Sequence, residues 1–165
     1  MPRTPSDAEF TEFAHASWAS LYRTAYLLLG DPGDAEDLVQ TALAKTYAAW
    51  PKVRDMHAAP GYARTVLVNT ATSWFRRRSW RNERPVETLP DSAHHGVHDH
   101  DPSDRPAVMG ALAALPPRQR AVVVLRYYED LSVAQTASAL GISEGTVKSQ
   151  TSDALARLRT LLGDV

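Results

Sequence analysis

Apolar residues in this chain recur every three to four positions in runs that end at glycine or proline, and no alternating strand pattern interrupts them. Phe10, Phe13, Leu21, Ala25 and Leu28 fall on one face of a helix that stops at Gly30. Asp31 then offers an N-cap and Pro32 a first helical position, and Leu38, Val39, Ala42, Tyr47 and Trp50 continue an apolar face as far as Pro51. Pro60 opens a third helix, in which Tyr62, Ala63, Val66, Leu67 and Trp74 lead into Arg76, Arg77, Arg78 and Arg81. The expected fold class is therefore all-α.

Between Pro85 and Pro106 the periodicity is lost, and Pro, Asp, Ser, His and Gly take over, a composition unable to offset its own ordering entropy. Beyond it, Val108 to Leu115 reads as a short helix, Pro116-Pro117 as a break, and Arg118 to Tyr128 as a helix with Val122, Leu125 and Tyr127 among its apolar positions. Ser132 can cap the next helix, through Ala134, Ala137 and Leu140, and Ser143 a last one carrying Val147, Leu155, Leu158 and Leu162. The predicted organisation is two small helical domains, 8–84 and 106–165, joined by a flexible acidic, His-rich linker, 85–105.

Composition narrows the function. A chain of 165 residues that is 44% hydrophobic can bury one ordinary core or two small ones, not a large enzyme cleft. The absence of Cys removes disulfides, thiolate metal sites and Cys nucleophiles. Met1 to Ala8 lacks an apolar leader core and no stretch is long enough to span a bilayer, so a soluble, cytoplasmic protein without membrane insertion is expected. The net charge of -1 argues superficially against nucleic acid. The average conceals the pattern, because Glu87, Asp91, Asp99, Asp101 and Asp104 crowd the linker while Arg76, Arg77, Arg78, Arg81 and Arg84 precede it. These arginines, interleaved with Trp74, Phe75 and Trp80, suit a surface that tracks phosphates and stacks on bases. Three consecutive arginines cannot all share one helix face, so only some are expected to touch DNA.

The last two helices, joined by Leu140-Gly141-Ile142-Ser143, have the form of a helix-turn-helix, whose second helix enters the major groove. Glu144, Thr146, Lys148, Ser149, Gln150 and Ser152 give that helix a polar set near its start; an ordinary helical hairpin with a polar outer face has the same pattern.

Longer motifs separate these readings. Leu115-Pro116-Pro117-Arg118-Gln119-Arg120, Arg126-Tyr127-Tyr128-Glu129-Asp130-Leu131-Ser132 and Gly145-Thr146-Val147-Lys148-Ser149 resemble the C-terminal domain of extracytoplasmic-function sigma factors of bacterial RNA polymerase, within the sigma-70 family. Leu27-Leu28-Leu29-Gly30-Asp31 with Asp34-Ala35-Glu36-Asp37-Leu38-Val39-Gln40 resembles the family's core-binding helix, and Val68-Asn69-Thr70-Ala71 its promoter-melting segment. The resemblance spans residues 10–82 and 107–162 and is nearest to an actinobacterial subgroup. It implies that Asp37 and Gln40 contact a coiled coil of core RNA polymerase, with Thr41 where the family often has Glu. It implies that the loop Asp55 to Ala59, with Met56 and His57, captures unstacked bases of the -10 element, and that Asn69, Trp74, Arg76, Arg77, Arg78, Trp80 and Arg81 serve the same DNA-binding and melting region. For the -35 element it implies Thr146, Lys148, Ser149 and Gln150, with Arg157 toward phosphate. Asp153 stands where many relatives carry Arg, so that helix is rotated or displaced to turn it away, or Asp153 reads a cytosine amino group, or -35 affinity is weak.

The resemblance also implies promoter DNA and core polymerase as partners, an anti-sigma factor as a further one, a monomer when free, and no cofactor. Two rivals compete. His94, His95, His98 and His100, with Asp99 and Asp101, resemble a metal-binding tract, but the linker lacks the rigidity a hydrolytic metal site needs, so no metal is expected. A self-sufficient dimeric repressor has no use for a polymerase-docking helix, and no dimerisation helix is evident. Neither a phosphate-binding Gly-rich loop, a nucleophile elbow nor an HExxH site is present, so an enzyme is not expected.

Overall fold

A computed structural model describes residues 4–81 and 105–163, with side chains throughout except at 78–81 and 105. The described residues form helices α1 (Asp7–Leu29), α2 (Pro32–Ala48), α3 (Ala59–Arg81), α4 (Arg105–Ala114), α5 (Pro117–Val123), α6 (Val133–Leu140) and α7 (Glu144–Leu162), and no strand occurs among them. The all-α expectation holds. The linker, apart from Arg105 at the start of α4, lies outside the described residues, as does the histidine tract.

Local chemistry sets the helix ends. Ser6 and Glu9 form a reciprocal capping box on α1, and Ser132 and Gln135 form another on α6. Asp31 caps α2 by accepting from the Asp34 amide at 2.9 Å, with Pro32 at the first helical position. Gly30 ends α1 in the left-handed region, φ 75°. Trp50 follows α2 in a 3-10 turn, Trp50–Lys52, where its buried indole donates to the Ser6 carbonyl at 3.1 Å. Phe10 packs edge-on to Trp50 with ring centroids 5.2 Å apart, and to Tyr47 at 4.9 Å. Tyr47, expected on the apolar face, is exposed instead and donates to Asp7 at 3.0 Å, tying the end of α2 to the start of α1. That hydrogen bond, reinforced by the Asp7 charge, holds the phenol above its ordinary pKa.

Helices α1, α2 and α3 pack on one another, and α7 gathers α4, α5 and α6. The two groups then share one interior. Leu28, Leu38, Leu67 and Val68 from the first belong to the same buried cluster as Val122, Leu125, Ala137, Leu140 and Val147 from the second. Contacts of α1 with α4 and α5, and of α3 with α6, make the seam.

The helix expected from Arg118 to Tyr128 changes pitch midway. After Val123 the chain widens into a π turn, Val124–Tyr128, closed by the Glu129 amide donating to the Val124 carbonyl at 2.9 Å. The extra residue rotates Tyr127, expected among the apolar positions, into solvent with Tyr128. Asp130 follows at φ 57°, a left-handed conformation that Asp tolerates better than most residues.

Arg120 ties the seam to the end of α4. Its guanidinium donates to the carbonyls of Leu112 at 2.9 Å, Ala113 at 2.9 Å, Leu115 at 3.1 Å and, across the seam, Leu28 at 3.3 Å. Burial lowers its pKa from the ordinary value, yet arginine starts high enough to remain charged. Arg120→Ala strands these carbonyls and is expected to cost about 2–4 kcal/mol, with Arg120→Lys recovering only part because it lacks the planar fork. Urea denaturation midpoints of the two variants check this.

Candidate nucleic-acid interface

The described site residues fall on three exposed surfaces. On α2, Leu38, Val39 and Ala42 are buried while Asp37 and Gln40 are exposed, one helical step apart on the outer face. Gln40 donates weakly to Glu36 at 3.4 Å, and Thr41 is half-buried beside the core positions.

The second surface begins at the loop expected from Asp55 to Ala59, which is a tight 3-10 turn, Met56–Ala58, feeding directly into α3. The Asp55 carboxylate accepts from the His57 amide at 2.9 Å, which holds the turn and leaves Met56 and His57 exposed. Along α3, Tyr62, Thr65, Asn69 and Arg76 are exposed at helical spacing, while Ala63, Leu67, Val68 and Ala71 are buried behind them. Tyr62 counts as a core residue by its apolar character, but at 43% exposure it faces solvent instead. A helical wheel centred on Ala63 and Leu67 separates it from the core by roughly one residue step of 100°. Trp74 and Phe75 are half-buried against the core, which reduces the ring surface open to a nucleic-acid strand. Arg77 is exposed; the side chains of Arg78, Trp80 and Arg81 lie outside those described.

The third surface is the start of α7. Ser143 caps it, accepting from the Thr146 amide at 3.0 Å, and its hydroxyl lies 2.8 Å from that of Thr146. Val147 and Ala154 anchor the inner face, Lys148, Ser149, Ser152 and Asp153 are exposed, and Thr146 and Gln150 are half-buried. Asp153 follows Ser149 by four residues and is exposed on the same face. Arg157, exposed, sits beside Ala114 of α4, roughly 16 Å along the axis from Thr146 at about 1.5 Å per residue. Helix α6 ends before α7 in a Schellman turn, with the Ile142 amide donating to the Ala137 carbonyl at 3.1 Å. Two helices, a glycine turn and a capped second helix with a polar outer face are the parts of a helix-turn-helix.

Residues 17–81 match the family Sigma-70 region 2 and residues 105–158 match Sigma-70, region 4. The RNA polymerase sigma-E factor of Streptomyces coelicolor is 46% identical over 151 residues, 92% of this chain and 84% of the relative. The chain is an extracytoplasmic-function sigma factor of the sigma-70 family. The ECF RNA polymerase sigma factor SigL of Mycobacterium tuberculosis is 36% identical, with 89% of this chain and 85% of that relative covered. Among solved structures, the sigma factor RpoE in complex with the anti-sigma factor NepR from Bartonella quintana matches with a TM-score of 0.70 at 26% identity, over 93% of this chain and 96% of that one.

As a sigma factor, the protein recognises promoters and initiates transcription with RNA polymerase. None of its described helices is long and apolar enough to cross a membrane, and no group of three or more His, Asp or Glu among the described residues is placed to hold a metal.

One position couples two of the surfaces. Gly141, in the helix-turn-helix turn, adopts φ +65°, and a Cβ placed there would lie 2.8 Å from a guanidinium nitrogen of Arg76. Gly141→Ala is expected to lower stability by about 1–2 kcal/mol through the left-handed backbone alone. Adding Arg76→Ala should cost less than the sum of the single changes, because the displaced guanidinium is gone; thermal unfolding of the three variants measures the difference.

Proposed function

We propose that this sigma factor docks on core RNA polymerase through Asp37 and Gln40 of α2, holds open the -10 element with the Asp55–Ala59 turn and the exposed stripe of α3, and reads the -35 element with the start of α7. The observation that carries the reading is the division of exposed polar residues among three helices, each backed by buried apolar neighbours that fix its outer face. In the -10 region Met56, His57 and Tyr62 supply exposed apolar and aromatic surface for an unstacked base, Asn69 supplies an amide, and Trp74 with Arg76, Arg77, Arg78, Trp80 and Arg81 continues toward duplex phosphates. At -35, Lys148 and Ser149 reach outward, Thr146 and Gln150 contribute from half-buried positions, and Arg157 serves a phosphate farther along. Asp153, exposed beside Ser149, either accepts from a cytosine amino group or weakens phosphate binding.

The work is done by binding energy without covalent chemistry, so the protein is not an enzyme and needs no cofactor or metal. Extruding a base costs a few kcal/mol, within reach of stacking and hydrogen bonds. Its place is the cytoplasm, with RNA polymerase, and it is monomeric when free. Each DNA-reading unit is weak alone and gains affinity when polymerase fixes both at promoter spacing. The likeness to a sigma factor solved with an anti-sigma factor supports a partner of that kind here.

Run-off transcription with purified core polymerase on fragmented genomic DNA from the source organism tests the docking surface: discrete start sites with wild-type protein and their loss with Asp37→Ala, Gln40→Ala are expected. Transcripts that survive the double change at wild-type levels would move the docking site elsewhere. On a promoter found this way, Lys148→Ala should reduce the slope of log affinity against log salt by about 1 with little change in sequence preference.

A further inference from the structure

Helix α7 turns a bare ridge to solvent. At about 100° per residue, Gly145, Ser149, Ser152 and Ala156 lie within about 30° of the line opposite buried Val147 and Ala154, and all four are exposed. Nothing inside the protein asks for glycine at 145. A Cβ there would meet only the Ser143 hydroxyl, at 3.9 Å, an ordinary contact. Glycine is a poor helix former, and the room it leaves lies on the outside. A major groove about 12 Å wide takes a helix about 10–12 Å across only where the inward side chains are small, a condition this ridge meets.

Lys148 and Asp153 flank the ridge on opposite sides, each about 70° from it. With so little bulk between them, the helix can sink until both stand level with the base edges. A lysine there serves phosphate or guanine. A carboxylate is repelled by phosphate and accepts hydrogen bonds without donating any. Ser149, one turn before Asp153 and about 40° from it, is in the same condition. Its hydroxyl donates to the Thr146 carbonyl at 3.1 Å, which leaves only lone pairs facing out. Among the described residues, neither Arg157, one turn on, nor any other forms an ion pair or hydrogen bond with Asp153.

Two neighbouring acceptors call for a donor. Guanine and thymine present acceptors to the major groove, and adenine holds the N7 lone pair beside its amine, where it repels a carboxylate. Cytosine offers its N4 amine with no acceptor of its own alongside. We propose that Asp153, seconded by Ser149, is a specificity residue of this sigma factor that selects a cytosine in the -35 element, the small ridge of α7 giving it the depth to do so. The assignment rests on the reading of α7 as the -35 helix, and the two are tested apart.

A promoter found by run-off transcription is rebuilt with its -35 element randomised, and holoenzyme assembled from core polymerase and the full-length chain selects the duplexes it binds. Sequencing then gives the base preference at each position. Wild-type protein is expected to favour cytosine about tenfold at one position, equivalent to about 1.4 kcal/mol. Asp153→Ala should abolish that preference and leave the other positions as they were. Asp153→Asn, which both donates and accepts, should move it to adenine, whose N6 and N7 an amide matches. A cytosine preference that persists in Asp153→Ala, or an affinity that merely rises on all sequences alike as relief of phosphate repulsion would cause, overturns the assignment. Gly145→Leu tests the reading beneath it. Its side chain points to solvent, so helical circular dichroism should not change, but it holds α7 out of the groove and should weaken selection at every -35 position at least tenfold. Selection that survives Gly145→Leu overturns both readings; selection lost there but unmoved in Asp153→Ala overturns the cytosine assignment alone.

Discussion

A carboxylate nine-tenths buried has to be paired, and the pairing of Glu129 determines how the rest of the molecule is arranged. Its partners lie on two different helices of the N-terminal group, Thr24 on α1 and Arg64 on α3, so satisfying the charge fixes the C-terminal group against both at once. The apolar seam alone sets no such register, since hydrophobic burial is non-directional. Arg120 adds a second directional tie, from its own group to the Leu28 carbonyl near the end of α1.

Most of the secondary structure is governed at much shorter range. The serine and aspartate caps at the starts of α1, α2, α6 and α7 and the glycine caps at the ends of α1 and α6 bond to groups within a few residues, so these ends need no tertiary contact. The seam between the two groups, by contrast, consists of side-chain contacts and not of shared backbone ladders.

The exposed surfaces follow from the same division. Buried small residues, Ala35 and Ala42 on α2 and Ala63 and Ala71 on α3, let the first three helices approach closely and turn Asp37, Gln40 and Asn69 outward. In α7, Val147 and Ala154 do the same for Lys148 and Ser149. The arginine run after Trp74 combines both roles: Arg76 is drawn toward the turn at Gly141, while Trp74 and Phe75 lean on the core.

Periodicity, caps and breakers by themselves determined the all-α class, the end of α1 and the start of α2, the break at Pro116-Pro117 and the glycine turn of the helix-turn-helix, because those signals act over one to four residues and need no partner. The motifs in both halves carried the family as well. The tertiary structure alone decided that Tyr47, Tyr62 and Tyr127 face solvent, since an aromatic ring reads as core until its angular position among neighbouring helices is fixed. It alone revealed the π turn, where one extra residue shifts the phase of the apolar pattern. The shared core and the pairing of Glu129 with Arg64, 65 positions away in the chain, were likewise settled only in three dimensions, because a long-range charge pair leaves no periodic trace in a sequence.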